Sequence, residues 1–472
     1  MFMTAVEGSI IATAMPTIAA ELGGYDLFGW AFSSFLLAQA VSIPIYGRLS
    51  DIYGRKKVFF VGAALFTVGS AACGFAPTML TLIIARAVQG LGAGGIMPIG
   101  QTIIGDVYSA AERARIQGFL SSMWGISAVL GPLIGAFIVE QLSWPLVFWF
   151  NIPLAVAVIV LLAIVLPENP RRAAHRIDVV GGILLIVSVG SLMLLLLQGS
   201  DLGAAVVPVG VIAVAGFGLF LWQESRAPEP LLPIILWRDR ILRTCVTGSL
   251  FIGAVSMGVT AFLPTFVQGV LGRDAFVAGI VLGALSLAWP IGSTGAGQLM
   301  LRTSYRTSAV LGTVLLALGS ALLTQLDQHR DATFAFSGAF VVGLGLGFTN
   351  SAFTVAVQDA AGWSVRGIAT ATNTFMRMLG AALGTAILAG VVNRTIDRQG
   401  SGRSDAMEIL VDPTRRAALA PVDLDRLIVD VSHGISLAFG ATVLLALAAL
   451  VFALRMPGDA KPGELAERRS EG

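Results

Sequence analysis

Charge is what this sequence has least of. Only 12% of its 472 residues are Asp, Glu, Lys or Arg, about half of the roughly 25% usual in a soluble globular chain. Too few charges remain to cover the surfaces of several soluble domains, which excludes an ordinary cytosolic enzyme and a disordered chain. A formal charge of +2 excludes the basic footprint of a nucleic-acid binder. Cysteine and histidine are also scarce. Cys73 and Cys245 stand apart in apolar runs and read as buried thiols. His175, His329 and His433 lie near segment ends, and no Cys/His cluster has metal-ligand spacing. No G-x-x-x-x-G-K-[ST] loop occurs, so no ATP site is expected. The clustered His, Asp and Ser residues of an intramembrane enzyme are missing as well. No metal, no organic cofactor and no catalytic residue is expected.

What is present is apolar. Hydrophobic residues make up 56% of the chain, and the mean hydropathy is +0.84. A helix crossing the hydrocarbon core needs about 20 mostly apolar residues. Fourteen runs qualify: 3–22, 27–47, 58–76, 79–104, 114–139, 144–166, 178–198, 204–222, 244–267, 275–299, 307–325, 332–358, 367–392 and 432–455. The fold class is therefore an all-α, multi-pass membrane protein with 14 transmembrane helices. The 55 glycines suit close helix packing in lipid.

Lys and Arg set the expected orientation, because cytoplasmic loops are basic. With the N-terminus inside, twenty of the 30 Lys and Arg fall in inside loops or the C-terminal tail. They include Arg48, Arg171, Arg172, Arg176, Lys461, Arg468 and Arg469. Short outside loops hold only Arg273 and Arg330, and the long 393–431 loop holds six. Both termini are expected in the cytoplasm. No cleavable signal peptide is visible. The first span begins almost at Met1 with no basic residue before it, which suggests a native start upstream.

The loop 47–57 reads GRLSDIYGRKK, and a weaker echo, GQLMLRTSYR, starts at Gly297. The 250-residue offset fits six helices, two linking helices and six more. The expected divisions are 1–166, a linker at 167–240 with two extra helices, 241–456 with an extracytoplasmic loop at 393–431, and a tail at 457–472. Internal repeats of this kind are typical of secondary transporters, with the substrate path at their interface.

Gly47, Leu49, Asp51, Gly54, Arg55 and Lys56 resemble the loop signature of the major facilitator superfamily, G-x-L-x-D-R-x-G-R-[RK], with Ile52 where an Arg is usual. The echo keeps Gly297, Arg302 and Arg306 but has Leu301 in place of the Asp. RAVQGLGAG in span 4, GISAVLGPLIGAF in span 5, FNIP at 150–153, LPTFVQGVLG at 263–272 and ATNTFMRMLGAALGTAI at 371–387 resemble the fourteen-span drug:proton antiporter branch. The resemblance implies a major facilitator fold of two six-helix bundles plus two inserted helices. It implies a multidrug efflux transporter of the bacterial inner membrane that works as a monomer. Lipophilic, often cationic substrates would be exported against protons, the coupling ion. Export of lipids or glycolipids on the same fold is the alternative.

Glu7 carries most of the chemistry. A carboxylate within a membrane span is expensive and marks function. Removed from water it favours its neutral form, so it is able to load and release a proton. Nine residues separate it from Pro16, as in the family's first-span signature, although Glu replaces the usual Asp and Ala12 the usual Asn. The plainer reading is a solvated carboxylate near a helix end. Arg86 cannot discard its charge and needs an acceptor. The resemblance places it beside Glu7, with Gln89 one turn on; a structural Arg bonded to carbonyls is the alternative. Arg377 is a second intramembrane cation, four residues after Asn373, with transport and structural roles both open. Trp124, Gln268, Trp289, Asn350 and Asn373 are candidate cavity groups that could equally pack or sit at the interface. For the cytoplasmic gate the resemblance names Gly47, Asp51, Gly54, Arg55 and Lys56, with Asp106 as acidic partner of Arg55. In the antiporter helix it names Gly125, Gly131, Pro132 and Gly135, which bend or closely pack span 5.

Overall fold

The structure is a computed structural model that describes residues 2–23, 27–166, 178–199, 202–228, 230–231, 235–398, 406–411 and 413–458. Arg171, Arg172, Arg176, Arg403, Asp412, Lys461, Arg468 and Arg469 lie outside the described residues.

Every regular element described is helical. The order is α1 (Phe2–Leu22), α2 (Phe28–Tyr53), α3 (Arg55–Gly74), α4 (Met79–Val107), α5 (Ala110–Gln141), α6 (Pro145–Trp149), α7 (Asn151–Val165), α8 (Val179–Gln198) and α9 (Val206–Glu224). After these come α10 (Ile235–Arg238), α11 (Arg240–Thr265), α12 (Ala275–Arg302), α13 (Tyr305–Leu323), α14 (Ala332–Ala360), α15 (Arg366–Arg398), α16 (Ala406–Val411), α17 (Pro413–Ala417) and α18 (Pro421–Arg455). Lipid offers backbone groups no partner, so each crossing segment must satisfy its own, which only a helix does within one segment. Thirteen stretches among the described residues are long and apolar enough to cross a membrane, with α6 and α7 together forming one. Helix α1 packs on α5 and α4 within the same bundle and brings the crossing elements to the expected fourteen.

Side-chain caps fix many of the starts. Thr78 with Thr81 opens α4 and Ser109 with Glu112 opens α5, each as a reciprocal capping box. Asp178, Asp239, Asp274 and Ser304 accept backbone N–H groups at the starts of α8, α11, α12 and α13.

Helices α1 to α7 form one bundle and α11 to α18 the other, each with its own apolar core. The bundles meet along two seams, α2 against α15 and α5 against α12. The linking helices α8 and α9 pair as a hairpin, and α8 reaches both α2 and α15. The expected loop 393–431 is largely helical, because α15 continues to Arg398 and α18 starts at Pro421. Arg416 ties this segment down by donating to the carbonyls of Gln268 and Gly269 at 3.2 and 2.8 Å.

Candidate functional site

Two polar constellations stand out in this apolar scaffold. The first is enclosed in the N-terminal bundle. Glu7 on α1 is fully buried, so the reading of a solvated carboxylate at a helix end does not hold. One of its oxygens accepts from Arg86 Nη1 at 2.6 Å and from Gln89 Nε2 at 2.9 Å. The other accepts from the Asn151 side-chain amide. Arg86 also donates to Gln89 Oε1 at 2.6 Å and to the Ala31 carbonyl at 3.2 Å, and its guanidinium lies 4.2 Å from the centre of the Phe35 ring. Gln89 Nε2 donates further to Ser70 Oγ at 2.8 Å. Five helices thus converge on one buried ion pair. Low polarity strengthens each of these bonds and makes any unpaired member costly.

Sequence reasoning missed Asn151 and Ser70. Asn151 is the first residue of α7 and belongs to the FNIP run, so an amide at the head of an apolar span was the available signal. Ser70 offers none, since a lone Ser in a membrane helix is ordinary.

The second constellation joins the two bundles at the end that carries Asp51. Asp51 accepts from the backbone N–H groups of Gly367 and Ile368, each at 2.8 Å. The carboxylate of one bundle therefore caps the first turn of α15 in the other, where a helix dipole favours negative charge. Arg55 lies 2.5 Å from Asp51 and 3.0 Å from Asp106, and it donates to the Trp363 carbonyl across the seam at 2.8 Å. Arg366 of α15 donates to Asp106 Oδ1 at 2.7 Å and to the Gly105 carbonyl at 2.9 Å. Gly54 has φ +95°, a conformation that suits only glycine without strain. Gly47 packs so tightly on Ala371 and Gly367 that no Cβ fits.

The counterpart in the second half uses different chemistry. Asp359, at the end of α14, accepts from the Tyr305 hydroxyl at 3.0 Å and lies 3.5 Å from Arg113 at the start of α5. Tyr305 follows Gly297 by eight residues, as Arg55 follows Gly47. Gly297 presses on the Ala114 carbonyl of α5 with no room for a Cβ, as Gly47 presses on α15. The weak echo in sequence is a structural repeat in which Tyr takes the place of Arg.

Other expected residues lie apart. Lys56 does not join the Asp51 cluster: its Nζ donates to the carbonyls of Ala163 and Leu166 at 2.7 and 2.9 Å, capping the end of α7. Asn373 is buried and accepts from Ser249 at 2.7 Å, rather than turning to Arg377. Arg377 makes no ion pair or hydrogen bond among the described residues. Trp289 packs against the core of the second bundle, and Asn350 is half-buried on α14. Trp124 is 44% exposed on α5, near the turns that contact α12 and α1. In the same helix Gly125 lies against the Ser286 carbonyl of α12, and Gly135 against Thr13 and Ile10 of α1. Gly131 is buried and Pro132 lies within an unbroken helix.

Comparison with known proteins decides the family. The description Major Facilitator Superfamily matches residues 1–385. The chain belongs to this superfamily. It is a transporter rather than an enzyme. It is similar to the multidrug transporter protein MdtP of Bacillus subtilis (strain 168), 32% identical over 83% of this chain and 73% of that protein. It is also similar to multidrug resistance protein 3 of the same organism, 32% identical over 96% of this chain and 91% of that one. Among solved structures, the human organic anion transporter MFSD10 superposes with a TM-score of 0.68 at 14% identity, over 96% of each chain. The proton:xylose symporter XylE gives 0.67 at 14% identity, over 99% of this chain and 96% of its own. These two likenesses establish the fold.

Proposed function

We propose that this transporter is a proton-coupled antiporter that expels lipophilic compounds, cations foremost, by alternating access of its two bundles. The observation that carries the reading is the Glu7–Arg86 pair, buried inside the first bundle. Charged, Glu7 holds Arg86; protonated, it releases the guanidinium to Gln89, the Ala31 carbonyl and the Phe35 ring. A proton entering from outside and a lipophilic cation competing with Arg86 for the carboxylate are then alternatives, which is the condition for exchange. The 32%-identical multidrug relatives support the substrate class.

In this reading the Asp51 end is cytoplasmic, both termini lie there, and the Asp51–Arg55 contacts steady the outward-open state. Protons are the coupling ion, with no other cofactor, and the monomer in a bacterial inner membrane is the working unit. The divisions 1–166 and 241–456 are the rocking bodies. A groove of about 290 Å³ lined by Met3, Phe59, Leu154 and Leu161 favours a second reading, export of lipids, since its walls match an acyl chain. The test is flux of tetraphenylphosphonium in proteoliposomes with and without an imposed pH gradient. Gradient-driven movement opposite to protons, reduced to background in Glu7→Gln, is expected. Full coupled flux in that variant would remove Glu7 from the mechanism.

A further inference from the structure

Helix α15 gathers polar groups on one face. Thr370, Asn373, Thr374 and Arg377 recur with the i, i+3, i+4, i+7 spacing that lines up side chains along a helix. The other face is apolar: Ala371 and Phe375 share a buried cluster with Val41 of α2 and Val189 of α8. The polar face turns into the second bundle, where Ser249 of α11 donates to Asn373 Oδ1 at 2.7 Å. Thr370, Asn373 and Thr374 are buried, whereas Arg377 keeps part of its surface open. Arg377 stands near the middle of the Trp363–Ile396 span, and its backbone is held closely. Gly253 of α11 lies so near the Arg377 carbonyl that no Cβ fits, and Gly380 is pressed on the Leu250 carbonyl in the same way.

The two intramembrane arginines differ in one respect. Arg86 meets Glu7 at 2.6 Å within its own bundle. Arg377 has no acceptor among the described residues, and none of their charges offsets its burial. A guanidinium keeps its charge, and a charge inside a membrane protein pairs or faces a cavity rather than hydrocarbon. The counter-charge therefore comes from outside the chain. One turn away, Asn373 accepts through its oxygen from Ser249, and its amide nitrogen donates to no described group. A guanidinium fork and an amide N–H one turn apart on the same face are the donors that a carboxylate, with about four acceptor positions, takes up.

We propose that Arg377 and Asn373 form a carboxylate-binding site, and that the transporter's lipophilic substrates include acids and zwitterions whose carboxylate docks there. This rests on the reading that the chain exports lipophilic compounds and extends their range from cations to anions. The two bundles then divide recognition by sign. Glu7 offers negative charge to a cation, and Arg377 offers positive charge to a carboxylate. The ligand completes an ion pair of which the fold supplies one half.

The test uses the full-length protein in detergent at neutral pH and two probes of one shape, biphenylcarboxylate and the neutral biphenylcarboxamide, titrated by calorimetry. The carboxylate is expected to bind the parent tighter than the amide by about tenfold or more, the range for hydrogen bonds to a charged group. Arg377→Met should abolish that difference. Arg377→Lys should keep part of it, since the charge stays and the fork is lost. Tetraphenylphosphonium should bind Arg377→Met tighter than the parent, because a repelling cation is gone. Without ligand, Arg377→Met should unfold at no lower temperature than the parent, since the charge it removes has no partner in the chain. Equal binding of carboxylate and amide by the parent would overturn the proposal. So would an Arg377→Met protein that retains the preference, or one that melts well below the parent and loses all three ligands alike, as removal of a structural arginine would give. Binding needs no membrane or gradient, so a chain that binds the carboxylate yet shows no proton-linked flux would refute the coupling and leave this site standing.

Discussion

At the residue scale the proposed coupling centres on one carboxylate, Glu7, and its neighbours. Glu7 accepts from Arg86, Gln89 and Asn151, so each partner has a separable consequence. Asn151→Leu strips one oxygen of its donor and should lower stability by about 1.5–3 kcal/mol, the range for a hydrogen bond to a charged group. Thermal unfolding in detergent measures it. Arg86→Met leaves the carboxylate without its cation and should cost about 3–5 kcal/mol, more than Asn151→Leu by the same measurement. The sequence alone marked Glu7 and Arg86 as anomalies, since charges in membrane spans are rare. Their pairing came from family likeness, because 79 residues separate them and no spacing rule links α1 to α4. Asn151 and Ser70 stayed hidden because uncharged polar residues in such helices are common and cheap. Lys56 sits within the loop signature yet bonds to the end of α7, so membership of a motif does not fix a contact.

The helices were legible because lipid imposes a strong and simple demand on them. Their ends were less so. Helix α2 runs to Tyr53 and α15 to Arg398, past the apolar runs, since a helix emerging from lipid can continue with polar residues. The cluster joining the bundles was half legible: Asp51, Arg55 and Asp106 could be named, whereas Trp363, Arg366 and the first backbone amides of α15 belong to the other bundle and contribute only through tertiary packing. The close approach of Gly47 to α15 yields a direct expectation. Gly47→Val cannot close the seam, so the Asp51 end should open, and a cysteine placed at Ser50, now fully buried, should react with a water-soluble maleimide many times faster than in the parent. Asp359→Asn should have a smaller effect of the same sign, because it weakens only the Arg113 and Tyr305 contacts. Equal reactivity in parent and Gly47→Val would show that this contact does not hold the end shut.

The molecule as a whole is two bundles that meet along α2–α15 and α5–α12, with the Glu7–Arg86 pair enclosed in the first. Coupling requires that substrate and proton compete for that pair. The most direct measurement is proton release when tetraphenylphosphonium is added to the purified protein in weakly buffered detergent solution. Saturable release from the parent chain and none from Glu7→Gln, whose Arg86 still has the Ala31 carbonyl, Gln89 and the Phe35 ring as partners, is the expected result. Equal release from both proteins, or binding by the parent with no proton released, would contradict it.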